Sequence, residues 1–169
     1  MKIGVCFLVC VVCFAGVAMG TASNAVADSA VIDLSGQWRF EMDAADKGTA
    51  DRWFSRTLAG KIQLPGALQA QGFGDDITAD TDWTGVIVER SYFEDPRYAP
   101  YRERGNIKVP FWLQPDKHYV GPAWYQRDLG IPTDWADRHV TLMLERPHWH
   151  TQVWVDEREC GGGEALGVP

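Results

Sequence analysis

The stretch Gly36–Met42, with the sequence GQWRFEM, decides the fold class of this chain. Trp38, Phe40 and Met42 alternate with polar residues, and this period of two is typical of a strand with one buried face. No part of the chain shows a sustained apolar period of 3.6 residues, so helices are not expected to form the core. The chain is therefore predicted to be all-β.

Further strands are predicted on both sides of this stretch. They cover Lys61–Leu64, Val86–Glu89, Ile107–Val109, Tyr119–Leu129, Arg138–Arg146 and Trp149–Asp156. In the last strand the alternation places Trp149 on the inward face, and the run Gly161–Gly163 that follows is predicted to be flexible. Between Ala67 and Lys117 prolines interrupt the pattern, which indicates a functional loop or one with short elements of its own. Short strands separated by Gly and Pro turns predict a β-sandwich or jelly roll.

The N-terminus has the three parts of a secretory signal peptide. Lys2 supplies a positive charge, an uncharged apolar run extends from Ile3 to Met19, and Ala25–Ala27 reads as an A-x-A cleavage site. Residues 1–27 are therefore predicted to be a signal peptide, residues 28–169 the mature domain, and the protein secreted or periplasmic. The alternative is an uncleaved membrane anchor, because the run approaches the length that spans a bilayer.

Composition narrows the class of partner. The formal net charge is −7 and the basic residues form no run, which argues against nucleic acid. Three of the four cysteines lie in the leader, so Cys160 alone remains and no intramolecular disulfide is expected. All eight tryptophans follow the leader; they suit a β-sheet core, and some suit stacking on sugar rings.

Two polar clusters are candidate metal sites. The first lies in one loop and comprises Asp75, Asp76, Asp80 and Asp82. Its spacing lacks the central Gly and terminal Glu of an EF-hand, so a solvated loop whose Asp side chains cap turns is preferred over calcium. The second is His148 with His150, two ligands that share a strand face but do not complete a site. Neither a metal nor another cofactor is predicted.

Retaining glycosidase chemistry needs two carboxyl groups about 5 Å apart, one protonated and one ionised. The candidates by residue type are Glu145, Glu157, Glu159 and Glu164. None has a recognisable catalytic setting, and the chain has no G-x-S-x-G, phosphate-binding Gly loop or H-E-x-x-H motif. No catalytic residue is assigned.

Several motifs, in order, resemble the N-terminal sugar-binding domain of family 2 glycoside hydrolases. They are Leu34–Phe40 with Trp53 and Leu64–Gly66, Tyr119–Arg127 (similar to Y-x-G-x-A-W-Y-x-R), Ile131–Trp135 (I-P-x-x-W), Val140–Arg146 (L-x-x-E-R) and Val153–Asp156 (V-W-V-[ND]). The resemblance implies a jelly-roll β-sandwich of the galactose-binding-domain type, incomplete at its C-terminus. It also implies a parent glycosidase, similar to β-galactosidases and β-glucuronidases, whose catalytic glutamates lie in a downstream barrel.

On this resemblance the chain is expected to be an inactive fragment that binds carbohydrate and pairs with the missing domains of the parent enzyme. A loop after the L-P-G-like turn reaches the active site in several members, and it corresponds here to Ala67–Trp83. Asp75, Asp76 and Trp83 are therefore the candidate sugar contacts. Ala67 stands where some β-galactosidases have an amide side chain, so that contact is not carried over, and the role of residues 84–117 is open.

Two alternatives to an enzyme fragment are kept. One is a free-standing carbohydrate-binding module or lectin that uses exposed aromatic residues such as Trp83 or Trp112. The other is an interaction domain in which every tryptophan is structural. A membrane is a partner only if the leader is retained.

Overall fold

Strands dominate the computed structural model, which describes residues 2–9, 31–82, 90–109, 113–145 and 147–166. The strands are β1 (Lys2–Val9), β2 (Gly36–Met42), β3 (Gly60–Leu64), β4 (Asp75–Asp76), β5 (Lys117–His118), β6 (Ala123–Asp128), β7 (Pro147–Val155) and β8 (Arg158–Leu166), and a short helix α1 covers Ser91–Glu94. Short 3-10 turns lie at Trp53–Ser55, Gln69–Gln71, Pro96–Arg102 and Thr133–Trp135. The all-β fold class is confirmed, whereas the jelly-roll arrangement stays a prediction.

The chain divides into two compact units, Met1–Ala67 with Gly121–Pro169 and, between them in sequence, Leu68–Val120. The first unit contains a six-stranded antiparallel sheet in the order β3-β2-β6-β1-β7-β8. Its predicted strands at Gly36–Met42, Lys61–Leu64, within Tyr119–Leu129 and at Trp149–Asp156 are observed as β2, β3, β6 and β7.

An aromatic cluster forms the core of the first unit. Trp124 of β6 and Trp154 of β7 are buried, and their ring centroids lie 4.9 Å apart. Phe54 stacks on Trp154 at 5.4 Å, and Leu58 and Trp53 complete the cluster. Large rings from strands distant in sequence therefore pack together, and removing so much apolar surface from water stabilises the sheet.

The amide of Gln126 is a buried polar group of β6 whose hydrogen-bonding capacity is used. Its Oε1 accepts hydrogen bonds from Arg39 Nε at 2.9 Å and from the Leu58 backbone N–H at 3.3 Å, while its Nε2 donates to the Arg56 carbonyl at 2.8 Å. Gln126 therefore ties β2 and the segment before β3 to the middle of the sheet.

Two strand predictions are wrong. The described part of Arg138–Arg146, residues 138–145, joins no ladder, and Val140 and Met143 are exposed. Alternation supplies one apolar face, but a strand also needs a neighbour for its backbone groups, and none pairs with it in the described residues. At Ile107–Val109 the backbone is satisfied differently: Gln114 donates to the Ile107 carbonyl and accepts from the Val109 N–H. The strand predicted at Val86–Glu89 lies outside the described residues.

The prediction that Gly161–Gly163 is flexible is also wrong, because these residues belong to β8. Gly161, Gly162 and Gly163 pair with Val153, Gln152 and Thr151 of β7. A Cβ added to Gly162 would run into the Thr151 carbonyl oxygen, so this position needs glycine for the close approach of two backbones.

β1 comes from the segment that the sequence predicts to be a leader. It pairs with β6 on one side and with β7 on the other, antiparallel to both. Cleavage of the leader stays a prediction. Across the described residues, no helix combines the length and hydrophobicity needed to cross a bilayer.

The second unit is smaller and has its own core. Tyr92, Ile107 and Val109 are buried in it, and Ile77, Phe93 and Tyr98 pack against them. Its described strands β4 and β5 form a two-stranded antiparallel sheet in which Asp75 pairs with His118 and Asp76 with Lys117. Burial raises the pKa of the Tyr92 hydroxyl, which donates a hydrogen bond to the Tyr101 carbonyl at 3.0 Å.

Candidate functional site

Asp75 and Asp76, two of the predicted sugar contacts, form the whole of β4. Asp76 lies between two cations: Lys117 Nζ is 2.6 Å from its Oδ1, and Arg104 Nη2 is 3.6 Å from its Oδ2. The hydrogen bond from Lys117 is the main reason why the pKa of the Asp76 carboxyl is lowered. This carboxylate is ionised near neutral pH and 62% exposed, so it can accept a hydrogen bond from a hydroxyl group of a ligand.

Threonine hydroxyl groups order one turn of the loop after β4. Thr81 Oγ1 accepts the Thr78 backbone N–H at 2.7 Å, and Thr78 Oγ1 accepts the Asp80 N–H at 3.2 Å. Hydroxyl side chains therefore make the contacts at this turn, and the expectation that Asp side chains cap turns of the loop stays a prediction. Trp83 lies outside the described residues, and its position relative to Asp75 and Asp76 stays a prediction.

No metal site is evident in the part of the chain that the structure describes. There, no three His, Cys, Asp or Glu side chains come together in a group that could hold an ion. His150 Nδ1 instead lies 3.4 Å from Glu164 Oε1 across the β7–β8 pair.

The four glutamates considered for acid–base chemistry are all exposed. Glu157 lies 3.5 Å from Arg52, and Glu164 lies beside His150. A glycosidase acid needs an apolar setting that keeps its carboxyl protonated, and none of these exposed side chains has one. These four glutamates therefore lack the setting that glycoside hydrolysis needs.

Asp43 is a buried carboxylate that sequence reasoning did not single out. Its Oδ1 accepts the Lys47 N–H at 2.8 Å, and its Oδ2 accepts the Gly48 N–H at 2.7 Å and Trp124 Nε1 at 3.1 Å. Through these hydrogen bonds, Asp43 connects the loop after β2 to the Trp124 indole in the core. Its role is structural.

Trp149 is the exposed aromatic residue that sequence reasoning placed wrongly. Its side chain is 61% exposed instead of facing inward, and its φ of 72° breaks the alternation of β7. Trp149 pairs with the small residue Ala165, and the next pair along the ladder is His150 with Glu164. Trp149 thus presents an exposed indole that is next in sequence to His150, and an indole can stack on the apolar face of a ligand.

Comparison with known proteins bears on the function of the chain. No family model matches the chain. A β-glucuronidase from Paenibacillus borealis is 22% identical over 137 residues, which cover 81% of this chain and 17% of that enzyme. The chain is similar to a glycosidase. This likeness supports a distant relationship to glycoside hydrolases along most of the chain, and the chain spans less than a fifth of the relative's length.

Proposed function

We propose that this chain is the N-terminal sugar-binding domain of a secreted glycoside hydrolase and that it has no glycosidase activity by itself. The observation that carries the proposal is the similarity to a β-glucuronidase along 81% of the chain. The all-β architecture and the motif order between Leu34 and Asp156 agree with it.

The proposed inactivity follows from the carboxylates. A retaining glycosidase needs a protonated and an ionised carboxyl group about 5 Å apart. The four candidate glutamates of this chain are exposed, and Glu157 lies beside Arg52 and Glu164 beside His150. In the proposed parent enzyme the reacting carboxyls come from another domain, and this chain contributes contacts to the substrate.

Two surfaces are proposed to contact sugar, one in each unit. In the first, the Trp149 indole stacks on the apolar face of a pyranose ring, while His150 and Glu164 exchange hydrogen bonds with its hydroxyl groups. In the second, the exposed carboxylate of Asp76 accepts a hydroxyl hydrogen bond, and Asp75 and Trp83 lie near it in sequence. The two surfaces are separable by mutation.

Activity is tested first. The purified full chain is incubated with aryl β-glucuronides, β-galactosides and β-mannosides, and release of the aryl group is followed. No turnover above a boiled control is expected. Turnover that disappears in a Glu157→Gln or Glu164→Gln variant would show that the chain is itself a glycosidase.

Sugar binding is tested with a glycan array followed by titration calorimetry on the best ligand. Loss of a stacking ring should weaken binding about tenfold. Trp149→Ala should have this effect if the first surface binds the sugar, and Trp83→Ala if the second surface does. Asp76→Asn reports on the second surface. Met143→Ala, which removes an exposed apolar side chain elsewhere, is the matched control and should bind normally. Absence of glycan binding by the folded chain would contradict the sugar-binding role.

The second candidate is a free-standing carbohydrate-binding module, and the exposed Trp149 favours it. Such a module binds polysaccharide without any other domain. A gene whose reading frame continues past codon 169 into a barrel would exclude it, whereas tight polysaccharide binding together with a gene that encodes no such barrel would support it.

A further inference from the structure

β1 lies between β6 and β7 in the sheet, although its own sequence predicts that it is cleaved off. Lys2–Cys6 pair with Asp128–Trp124 of β6, and the opposite edge of the same strand pairs with β7 from Ile3↔Val155 to Val9↔Pro147. β1 thus separates two strands that hold the core tryptophans. The same residues belong to the predicted signal peptide, which is removed on export.

Removing β1 would uncover two strand edges at once. Ala123–Gln126 of β6 are at most 1% exposed, so their backbone groups lie in a dry part of the sheet. Peptide groups that lose their partners in such surroundings are strongly destabilising, and water can replace those partners only by opening the core. An unpaired inner edge is also a template for another strand.

We infer that the space between β6 and β7 is a strand-acceptor groove, filled here by the N-terminal segment and open to another extended, mainly apolar peptide segment once the leader is removed. Binding would be by strand addition, in which the main chain supplies the hydrogen bonds and alternate side chains supply the selectivity. This inference does not rest on sugar binding.

The registers define the occupant. It must run antiparallel to both neighbours, because β1 does. It must be apolar: the β1 residues Ile3–Val9 carry no charge, and β6 is buried on both of its faces.

One position of the occupant is further restricted to a small residue. Gly4 pairs with Gln126 on one side and with Trp154 on the other. Residues directly opposite in antiparallel ladders share a face, so two large buried side chains flank this position. A strand with a bulky residue there should not fit.

The test uses the full chain with a protease site placed at residues 21–26, cut only after folding. Native mass spectrometry shows whether the N-terminal fragment stays bound, and hydrogen exchange reports the protection of β6 and β7. A fluorescent peptide of residues 1–10, with lysines added for solubility, is then used to displace the fragment.

The expected result is a retained fragment that exchanges with the labelled peptide. A Gly4→Pro peptide loses a donor and a Gly4→Phe peptide is too bulky, so both should bind at least about tenfold more weakly, whereas Ile3→Val should bind as the parent peptide does. Equal binding of the Pro and parent peptides would overturn the inference. So would loss of the fragment with β6 and β7 still protected, or a dimer of cut chains that admits no peptide.

Discussion

The two units of this chain reach order by different means. In the first, strands far apart in sequence pair in one sheet, and the rings of Trp124 and Trp154 meet between them. In the second, the described strands are two residues long, and a small core of Tyr92, Ile107 and Val109 is flanked by turns and by cations over rings. Those contacts are Arg90 over Phe93, Arg97 over Tyr98, Arg102 over Tyr92 and Lys108 over Tyr101, at 5.5 to 6.0 Å. The first unit therefore depends on pairing between segments that are distant in sequence, and the second on packing within one continuous stretch of chain.

The largest effect is expected from Trp124→Ala. Truncating a fully buried tryptophan removes about 3–5 kcal/mol from the free energy of unfolding, and here it also leaves Asp43 without one of its donors. Urea denaturation followed by tryptophan fluorescence measures this loss. Hydrogen exchange should show that β6 and β7 lose protection while Ile107 and Val109 keep theirs; equal loss in both units would break the comparison.

Tyr92→Ala is expected to act on the second unit and to cost about 3 kcal/mol there, because the ring is fully buried. Tyr92→Phe is the matched control. It keeps the ring and loses only the hydrogen bond to the Tyr101 carbonyl, so it should cost about 1 kcal/mol. Exchange of the Ile107 and Val109 amides measures both. If Tyr92→Ala and Tyr92→Phe lower the stability by the same amount, packing of the ring does not stabilise this unit.

Gly48→Ala tests how closely the first unit is packed in its loops. An added Cβ would overlap the Trp124 ring and lie 2.7 Å from Asp43 Oδ2, so a loss of about 2 kcal/mol is expected. Gly130→Ala, in the same unit, meets nothing within 4 Å and should change stability by less than about 0.5 kcal/mol. Thermal melts of the two variants suffice, and similar melting temperatures would refute the close packing.

The smallest effect concerns pH. Two hydrogen bonds of 2.9 Å from Arg56 hold the pKa of Glu41 in the first unit below its usual value, as Lys117 does for Asp76 in the second. A lowered folded-state pKa means that the stabilisation is present above the unfolded-state pKa and is lost as pH falls through the folded-state one. For the Glu41–Arg56 pair, whose side chains are 34% and 39% exposed, the loss should be about 0.5 kcal/mol.

Glu41→Gln should remove that part of the acid dependence from the unfolding of the first unit, and Asp76→Asn should do the same for the second. NMR titration of the two carboxyl groups measures the shifts directly. A Glu41 carboxyl that titrates at its ordinary value would show that Arg56 does not hold it in solution.

Alternation along the sequence predicted the strands that the sheet uses, because a period of two is what a buried strand face requires. It failed where the backbone found another partner, as at Ile107 and Val109, whose groups are taken by the Gln114 amide. It also failed at Arg138–Glu145, where the described residues contain no strand that pairs with the apolar pattern. The alternation within a segment predicts which of its faces is apolar, whereas the pairing of that segment with another strand depends on the rest of the chain.

The candidate site was predictable only in part. Residue type pointed to Asp75 and Asp76, but the Lys117 and Arg104 cations that control Asp76 lie far along the sequence and carry no motif. The sequence pattern wrongly predicted that Trp149 faces inward. A positive φ reverses the side-chain alternation, and it is not expected of a tryptophan. The buried Asp43 gave no signal, because the three donors that it satisfies become neighbours only on folding.

The pairing of β2 with β6 also bears on how the protein folds. Arg39 and Gln126 are 87 residues apart, and the whole second unit is synthesised between their strands. Contacts of such long sequence separation form late and slow the search for the native state. The first unit therefore cannot close its sheet until β6 has emerged, by which time the second unit can already have assembled from its neighbouring residues. Until then the aromatic side chains of β2 lack their partners on β6, so the incompletely synthesised chain is prone to aggregation.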